Sequence, residues 1–422
     1  MHTIQSTIIT IGDELLIGQV VDTNSAWMAQ QLNKAGIRVA RRVAVGDVWD
    51  EIWHTLDEES KQADIILITG GLGPTADDIT KPLLCKYFNG KMKVDEGALQ
   101  NVKNIFENIL KRPMIERNLK QAEVPDNCTV IQNKKGTAPG MCFKKDGKIF
   151  VSMPGVPFEM KAMMEDAVIP MLLKEFTFPH IAHRTLLTAG VGESFLADQI
   201  KDFETALPPH IKLAYLPNYG MVRLRLSGTA GDKSILENEI QQLFDELQLL
   251  VKDYLVTNTD EPLQQAVGKL LIQKNKTVAT AESCTGGYIS HLLTEKAGAS
   301  AYYKGSIISY ANEVKENLLG VNENTLNDHG AVSEQVVTQM LQGALKNIGT
   351  DYAIAVSGIM GPDGGTAEKP VGTVWIAAGS NKKIQTHQYY FRFDRSRNIA
   401  LTATNALNML RTFILAENED AD

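Results

Sequence analysis

The sequence predicts an α/β protein in three parts: an α/β domain over residues 1–176, a small α+β unit over 177–256 and a second α/β domain over 257–422. Three observations predict this. Strand-like and helix-like stretches alternate from Ile4 to Thr69, the pattern of a largely parallel sheet with its ligand site at the carboxyl ends of the strands. Residues 64–69 (DIILIT) are almost continuously apolar, as a parallel strand covered on both faces must be. Residues 277–287 (TVATAESCTGG) read as a β-branched strand, a tight turn and the start of an apolar-periodic helix at Tyr288, Ile289, Leu292 and Leu293. At 422 residues the chain is too long for one typical domain.

The elements follow in order. Residues 4–11 are the first strand, ended by Gly12-Asp13-Glu14. Residues 22–36 form an amphipathic helix, with Trp27, Met28, Leu32 and Ala35 near one face and Gly36 as its stop. A strand over 37–45, a helix over 49–62 and the buried strand 64–69 lead into the glycine-rich loop that begins at Gly70. Residues 91–118 read as helical, but charged and interrupted by Pro113, and so as an insertion or cover. The loop 133–141 (NKKGTAPGM) precedes a hairpin about Asp146-Gly147, and a helix follows over 158–174. The pattern changes after 177–179. Strands over 183–188, 212–217 and 221–228 and helices over 193–203 and 234–250 make the middle unit. His180 and His183 have the spacing of a metal pair and are read as ordinary linker residues. After a boundary at 257–262 come a helix to Lys274, the strand–turn–helix of 277–287 and a strand over 302–310. A helix over 334–348 follows, capped by Ser333, with Val336, Val337, Met340, Leu341, Ala344 and Leu345 as its buried stripe. A strand at 352–356, a loop over 357–369, strands over 371–378 and 386–393 and a helix over 396–415 complete the chain. The acidic tail 416–422 reads as frayed.

Hydrophobic and charged fractions of 44% and 22% are ordinary for a soluble globular protein. No run reads as long and apolar enough to span a bilayer, and the N-terminus lacks the features of a signal peptide. Cys85, Cys128, Cys142 and Cys284 form no CxxC pair, which suits a reducing cytoplasm. A net charge of −8 argues against a general nucleic-acid binder.

Two stretches carry chemistry. Ser283 sits at a turn beside backbone N–H groups that can stabilise an oxyanion, or a Ser or Thr there merely caps the helix. A serine nucleophile needs a base. His291 lies on the helix and His329 in a loop, whereas Lys315 can serve if burial keeps it neutral; the alternative for Lys315 is a solvated helix residue. Cys284 is either a rival nucleophile or a small core residue. The loop 358–365, with Gly358, Gly361, Gly364 and Gly365, can turn N–H groups toward an anion, and Arg395 and Arg397 add charge for a phosphate. In the first domain Asp77-Asp78, after a glycine-rich strand end, suit a divalent cation that itself binds phosphate, with Asp13 at another strand end. The alternative for all three is turn chemistry.

Four C-terminal motifs, AESCTGG, GSIISYANEVK at 305–315, HGAVSE at 329–334 and SGIMGPDGG with EKPVGTVW at 368–375, resemble the bacterial nicotinamide-nucleotide amidase domain. The resemblance implies hydrolysis of nicotinamide mononucleotide to nicotinate mononucleotide and ammonia without a cofactor. It implies Ser283 as nucleophile and Lys315 as its base, with Tyr310 in the catalytic set; Gly286, Gly287, Gly361, Gly364, Gly365, Thr366 and Arg395 are expected to contact the nucleotide. Met360 stands where many relatives carry a smaller or hydroxyl residue and receives no polar role. GDELLIGQVVDTN at 12–24, TGGLGPTADDIT at 69–80, NKKGTAPGM and MPGVPFEM at 153–160 resemble the molybdopterin-binding-like domain that opens the CinA proteins. The middle unit is similar to that family's KH-like or dimerisation module, so a homodimer is expected. For the first domain the resemblance implies ADP-ribose hydrolysis to AMP and ribose 5-phosphate with a divalent metal ion, rather than molybdenum-cofactor synthesis. Gly70, Gly71, Gly73, Thr75, Asn133 and Lys135 are expected toward the substrate, and Asp77, Asp78 and Asp13 toward the metal. The expected partners are small nucleotides, with no membrane and no direct nucleic-acid contact. Two alternatives stand: a non-catalytic DNA-uptake adaptor and a pterin-handling first domain.

Overall fold

The structure, a computed structural model, describes residues 4–75 and 77–419 and divides into two compact units, residues 1–181 with 230–233, and 182–229 with 234–422. In the first, a six-stranded sheet runs in the order Arg38–Val45, Gln5–Ile11, Ile65–Thr69, Lys148–Met153, Gly140–Lys145 and Thr129–Ile131. The first four strands are parallel and the last two antiparallel. Both faces are covered. Period-two alternation sends Ile8, Ile65 and Leu67 to one core with Met28, Leu32 and Met160, and Ile9, Ile66 and Ile68 to the other with Ile52, Leu56 and Leu83. The expected helix at 22–36 is Thr23–Lys34, and the Asp22 side chain accepts from the Ser25 N–H at 2.9 Å. The Asp146-Gly147 turn has both residues at positive φ, as a two-residue hairpin turn requires.

The stretch 91–118 departs from the helix expected of it. It opens as a strand, Met92–Val94, paired with Glu123–Pro125, then forms a helix from Glu96 that widens into a π-turn over Ile105–Ile109. After a break at 110–115, a single short helix, Glu116–Leu119, completes it. Pro113 falls in that break, where it interrupts no helical ladder.

In the second unit the middle sheet has the order Ile211–Asn218, Met221–Ala230, His180–Ala189, Leu255–Thr257. The helices Glu193–Gln199, Lys201–Ala206 and Lys233–Leu250 accompany it. The expected helix over 193–203 is thus two helices that meet at Ile200. His180 and His183 lie three apart on one strand, hence on opposite faces, and His183 Nδ1 bonds Ser227 Oγ at 2.8 Å.

The third sheet runs Tyr303–Ile308, Val278–Glu282, Tyr352–Gly358, Thr373–Gly379, Ile384–Tyr390, the first three strands parallel and the others antiparallel. Glu334–Ala344 packs on small residues of one face, Ala281, Ala353, Ala355 and Ala377. Leu263–Gln273 and Arg395–Glu419 pack on the other through Val267, Leu271, Leu407, Leu410 and Ile414. The segment 395–417 is long and apolar enough to cross a membrane by length and composition, but Ala403, Ala406, Leu407, Leu410 and Ile414 are core residues, which accounts for its apolar character. It reaches Glu419, so the beginning of the tail is helical rather than frayed; residues 420–422 lie outside the described residues. The middle sheet shares this core: Leu187 belongs to it, Met221 and Val256 pack against it, and Arg411 Nη1 donates to the Leu255 carbonyl at 3.1 Å.

Candidate active sites

Parallel register builds the C-terminal site. Glu282 pairs with Ile308 on one side and Val356 on the other, so Ser283, Ser309-Tyr310 and Ser357-Gly358 come together at the carboxyl ends of three neighbouring parallel strands. The Ser283 N–H donates to the Val356 carbonyl at 3.1 Å, which fixes the backbone at the turn. Helix Asn312–Leu319 carries Lys315 back toward the same place, buried to 1% exposure. Its Nζ donates to the carbonyls of Ser309 at 2.9 Å and Tyr310 at 3.1 Å. Ser283, Cys284, Tyr310, Lys315, Ser357 and Arg395 line one cavity of about 210 Å³.

Burial lowers the Lys315 pKa and outweighs the opposing effect of Cys284. A neutral amine has two N–H bonds and one lone pair. In that form the carbonyls of Ser309 and Tyr310 would take both hydrogens, leaving the lone pair for a proton from the serine that shares its cavity. Burial pushes the Cys284 thiol up to about 12, and Glu282 adds to this, so Cys284 carries no thiolate at neutral pH.

The turn differs from the expectation in which N–H groups it leaves free. Those of Gly287, Ile289 and Ser290, at the start of helix Tyr288–Thr294, all donate to the Glu282 carboxylate. Neither Ser283 nor Thr285 caps this helix; Thr285 instead donates its own hydroxyl to Glu282. Within this turn the N–H groups without an acceptor on another described residue are those of Cys284 and Thr285. Gly286 and Gly287 take the positive φ values the turn requires and do not line the cavity. Arg395 braces the site: Nη1 donates to Gly361 O at 2.9 Å and Nη2 to Tyr310 Oη at 3.0 Å. Gly364, Gly365 and Thr366 are exposed and lie outside the cavity, where Thr366 and Lys369 close their own turn.

The N-terminal site is a cavity of about 360 Å³ at the carboxyl ends of Gln5–Ile11, Ile65–Thr69 and Lys148–Met153. Gly70, Gly71, Gly73, Asp77 and Asp78 line it. A side chain at Gly70 would put Cβ 2.1 Å from the Ile11 carbonyl, so the strands close there only on glycine. Asp78 is engaged as turn chemistry: it accepts the N–H groups of Gly73 at 2.7 Å and Thr75 at 2.9 Å. The Asp13 carboxylate accepts the Asp47 N–H at 3.1 Å and the Asp47 carboxylate accepts the Asp13 N–H at 3.2 Å, and Asp13 is not part of the lining. Asn133 is buried and holds its own loop, accepting from Lys135 and Gly136 and donating to Ala138 O; Lys135 is exposed outside the cavity.

Sequence reasoning missed Glu14, Asp47 and Glu159, which line the cavity. Asp47 follows a strand end in Val45-Gly46-Asp47, the same signal that singled out Asp13. Burial raises the Asp47 pKa, and Asp13, Glu14 and Asp77 add to the rise. Glu159 is likewise raised by burial, opposed by a 2.6 Å bond from Asn133 Nδ2. Among the described residues no three His, Cys, Asp or Glu side chains are grouped to cage a metal unaided. An ion of the magnesium type needs less, because one or two carboxylates and the substrate's phosphates suffice, and Glu14, Asp47 and Asp77 present that kind of donor.

Known proteins resemble the chain along its whole length. Residues 7–174 match the family described as probable molybdopterin binding domain, 183–257 the damage-inducible protein CinA KH domain and 260–414 the CinA C-terminal domain. A CinA-like protein of Cytophaga hutchinsonii is 47% identical over 408 residues, 97% of each chain. A CinA-like protein of Flavobacterium psychrophilum is 45% identical, over 97% of this chain and 99% of the relative. The crystal structure of competence/damage inducible protein CihA from Agrobacterium tumefaciens shares 39% identity over 36% of this chain and 96% of its own, with a TM-score of 0.35. With three domain families matched in series and close relatives aligned nearly end to end, the chain belongs to the CinA family.

Proposed function

We propose that the chain is a bifunctional hydrolase of pyridine nucleotides. Its C-terminal site deamidates nicotinamide mononucleotide and its N-terminal cavity hydrolyses ADP-ribose to AMP and ribose 5-phosphate. The observation that carries the reading is Lys315: buried, its pKa lowered by that burial, its Nζ bonded to two backbone carbonyls, and in one cavity with Ser283. Lys315 takes the Ser283 proton as Oγ attacks the carboxamide carbon. The Cys284 and Thr285 N–H groups face the oxyanion that forms. The ammonium of Lys315 returns its proton to the leaving nitrogen as the C–N bond breaks, and ammonia departs. Water then attacks the acyl carbon and gives one proton to Lys315; the C–Oγ bond breaks as Lys315 returns that proton to Ser283, and the acid released loses its remaining proton to solvent as nicotinate mononucleotide leaves. Arg395, held beside Tyr310, offers charge to the nucleotide's phosphate.

In the N-terminal cavity the Gly70–Gly73 backbone would face the phosphate oxygens, and Glu14, Asp47 and Asp77 would hold a divalent cation. Such an ion supplies charge neutralisation at the phosphates when bound. Glu159, in the lining and raised in pKa by burial, is suited to move a proton there. The protein works in the cytoplasm as a homodimer on this reading.

Chelation tests the two-site assignment. With EDTA, ADP-ribose cleavage stops and ammonia release from nicotinamide mononucleotide continues; equal loss of both in folded protein would refute it. The adaptor alternative is weaker. The KH-like helices meet at Gln199-Ile200-Lys201 without a Gly-X-X-Gly sequence of the kind by which KH modules clamp nucleotide backbones; Gly228-Thr229-Ala230-Gly231 instead lies at the end of the strand Met221–Ala230, before the helix Lys233–Leu250. Filter binding that persists as salt is raised would revive it.

A further inference from the structure

Glu282, the last residue of the strand before Ser283, is wholly buried, yet no basic side chain pairs with it among the described residues. Its Oε2 accepts from Thr285 Oγ1 at 2.7 Å, the Gly287 N–H at 3.1 Å and the Ile289 N–H at 3.0 Å. Oε1 accepts from the Ser290 N–H at 2.8 Å and Thr280 Oγ1 at 3.2 Å. A carboxylate without a cation persists in a core only when N–H and O–H donors replace its water. Here one helix terminus, one hydroxyl of its own strand and one hydroxyl of the turn supply them.

These bonds tie together the strand behind Ser283 and the helix ahead of it. Ser283 and the free N–H groups of Cys284 and Thr285 all lie in the segment so closed. We propose that Glu282 is a positioning residue: it fixes the height and direction of the nucleophile turn so that Ser283 and its two oxyanion donors face the reacting carbon together. This rests on Ser283 being the amidase nucleophile. The effect is geometric and does not pass through the base, because burial and Cys284, not Glu282, set the Lys315 amine.

Glu282→Gln tests it. Whichever way its amide turns, the NH₂ group meets at least one backbone N–H. A 1 Å displacement of reacting groups costs on the order of 10²-fold, so kcat should fall by about that factor with KM changed by less than about threefold. The acid limb of the pH–rate profile, which reports Lys315, should stay where it is. Thr285→Val should lower kcat by about tenfold for loss of one donor, and Thr285→Ser should restore it. Leu345→Ala, a variant of the core on the other face of the sheet from Cys284, should lose stability but keep kcat per folded molecule. Phosphonylation of Ser283 by a fluorophosphonate reads the same geometry without the nucleotide, and should slow in Glu282→Gln and Thr285→Val. A folded Glu282→Gln with near-native kcat and labelling overturns the proposal, as does a shifted acid limb. If Glu282→Gln does not fold, equal kcat in Thr285→Val and Thr285→Ser overturns it. Wild-type protein that is labelled at Ser283 but releases no ammonia refutes the nicotinamide reading alone, and the labelling rates then decide; unlabelled Ser283 removes both.

Discussion

Lys315 is a buried lysine whose Nζ meets two backbone carbonyls. Arginine in its place keeps charge and reach but stays protonated, and so cannot take the serine proton. Lys315→Arg should therefore bind nicotinamide mononucleotide and turn it over on the order of 10²-fold more slowly or worse, measured by ammonia release. Because the base form is the active one, the wild-type rate should fall as pH drops through the lowered lysine pKa. Ser283→Ala should abolish release and Cys284→Ala should not, since the thiol is pushed up to about 12. Lys81 is a second lysine drawn from water, 7% exposed, with Nζ 3.0 Å from the Gln121 carbonyl and its pKa lowered to about 8 by burial. Unfolded, it titrates near 10.5. Between those values the unfolded chain holds a proton that the folded chain lacks, so stability rises with pH across that window. The buried thiols of Cys128 and Cys142, pushed up to about 11, oppose this on the alkaline side. Comparison with Lys81→Met cancels them. Between about pH 7.5 and 10 the wild type should gain on the order of 2 kcal/mol relative to the variant in urea unfolding; an unchanging difference would show a solvated amine.

At the scale of elements, the loop after Ile65–Thr69 separates two aspartates that the sequence shows only as a pair. Asp78 accepts two backbone N–H groups, whereas Asp77 is exposed at the cavity. Asp78→Asn should lower the thermal midpoint, since one N–H then meets an amide nitrogen at a cost of about 1–3 kcal/mol. Asp77→Asn should leave the midpoint unchanged and weaken the metal dependence of ADP-ribose cleavage. The opposite pattern would return the metal role to Asp78. Local patterns found the elements whose burial follows a single period: the continuous apolar strand, the Asp-Gly hairpin, the capped helix at Ser333 with its stripe. They missed the strand Met92–Val94, all exposed and without alternation, because its pairing partner lies about 30 residues on. The Ser283 turn was legible as strand, turn and helix. That its helix is capped from behind by Glu282 was not, because a carboxylate before the turn is unusual as a cap.

Across the whole molecule, the alternation of strands and helices was enough to indicate both α/β sheets, and parallel register then brings residues far apart in sequence together at the carboxyl ends of neighbouring strands. Tertiary contact decided the rest: Asp47 joins Glu14 only through adjacent strand ends, and no local period announces that the middle sheet and the C-terminal domain share a core. That shared core gives a test by truncation. A fragment beginning at Thr257 keeps every residue of the Ser283 cavity, so its ammonia release per folded molecule should match the full chain. It loses Leu187, 1% exposed within the C-terminal core, whose burial contributes about 2 kcal/mol. It also loses the carbonyl of Leu255, leaving Arg411, 7% exposed and already depressed in pKa by burial, without that acceptor, at about 1–3 kcal/mol. A fragment beginning at His180 keeps both. Its thermal midpoint should therefore exceed that of the shorter fragment by roughly 10 °C, at about 2–4 °C for each kcal/mol in chains of this size. Arg411→Leu should narrow the gap by removing the orphaned donor from the shorter fragment. Equal midpoints would mean that the sheet rests on the C-terminal domain without stabilising it, and a folded but inactive shorter fragment would mean that the serine site needs a residue from outside its own domain.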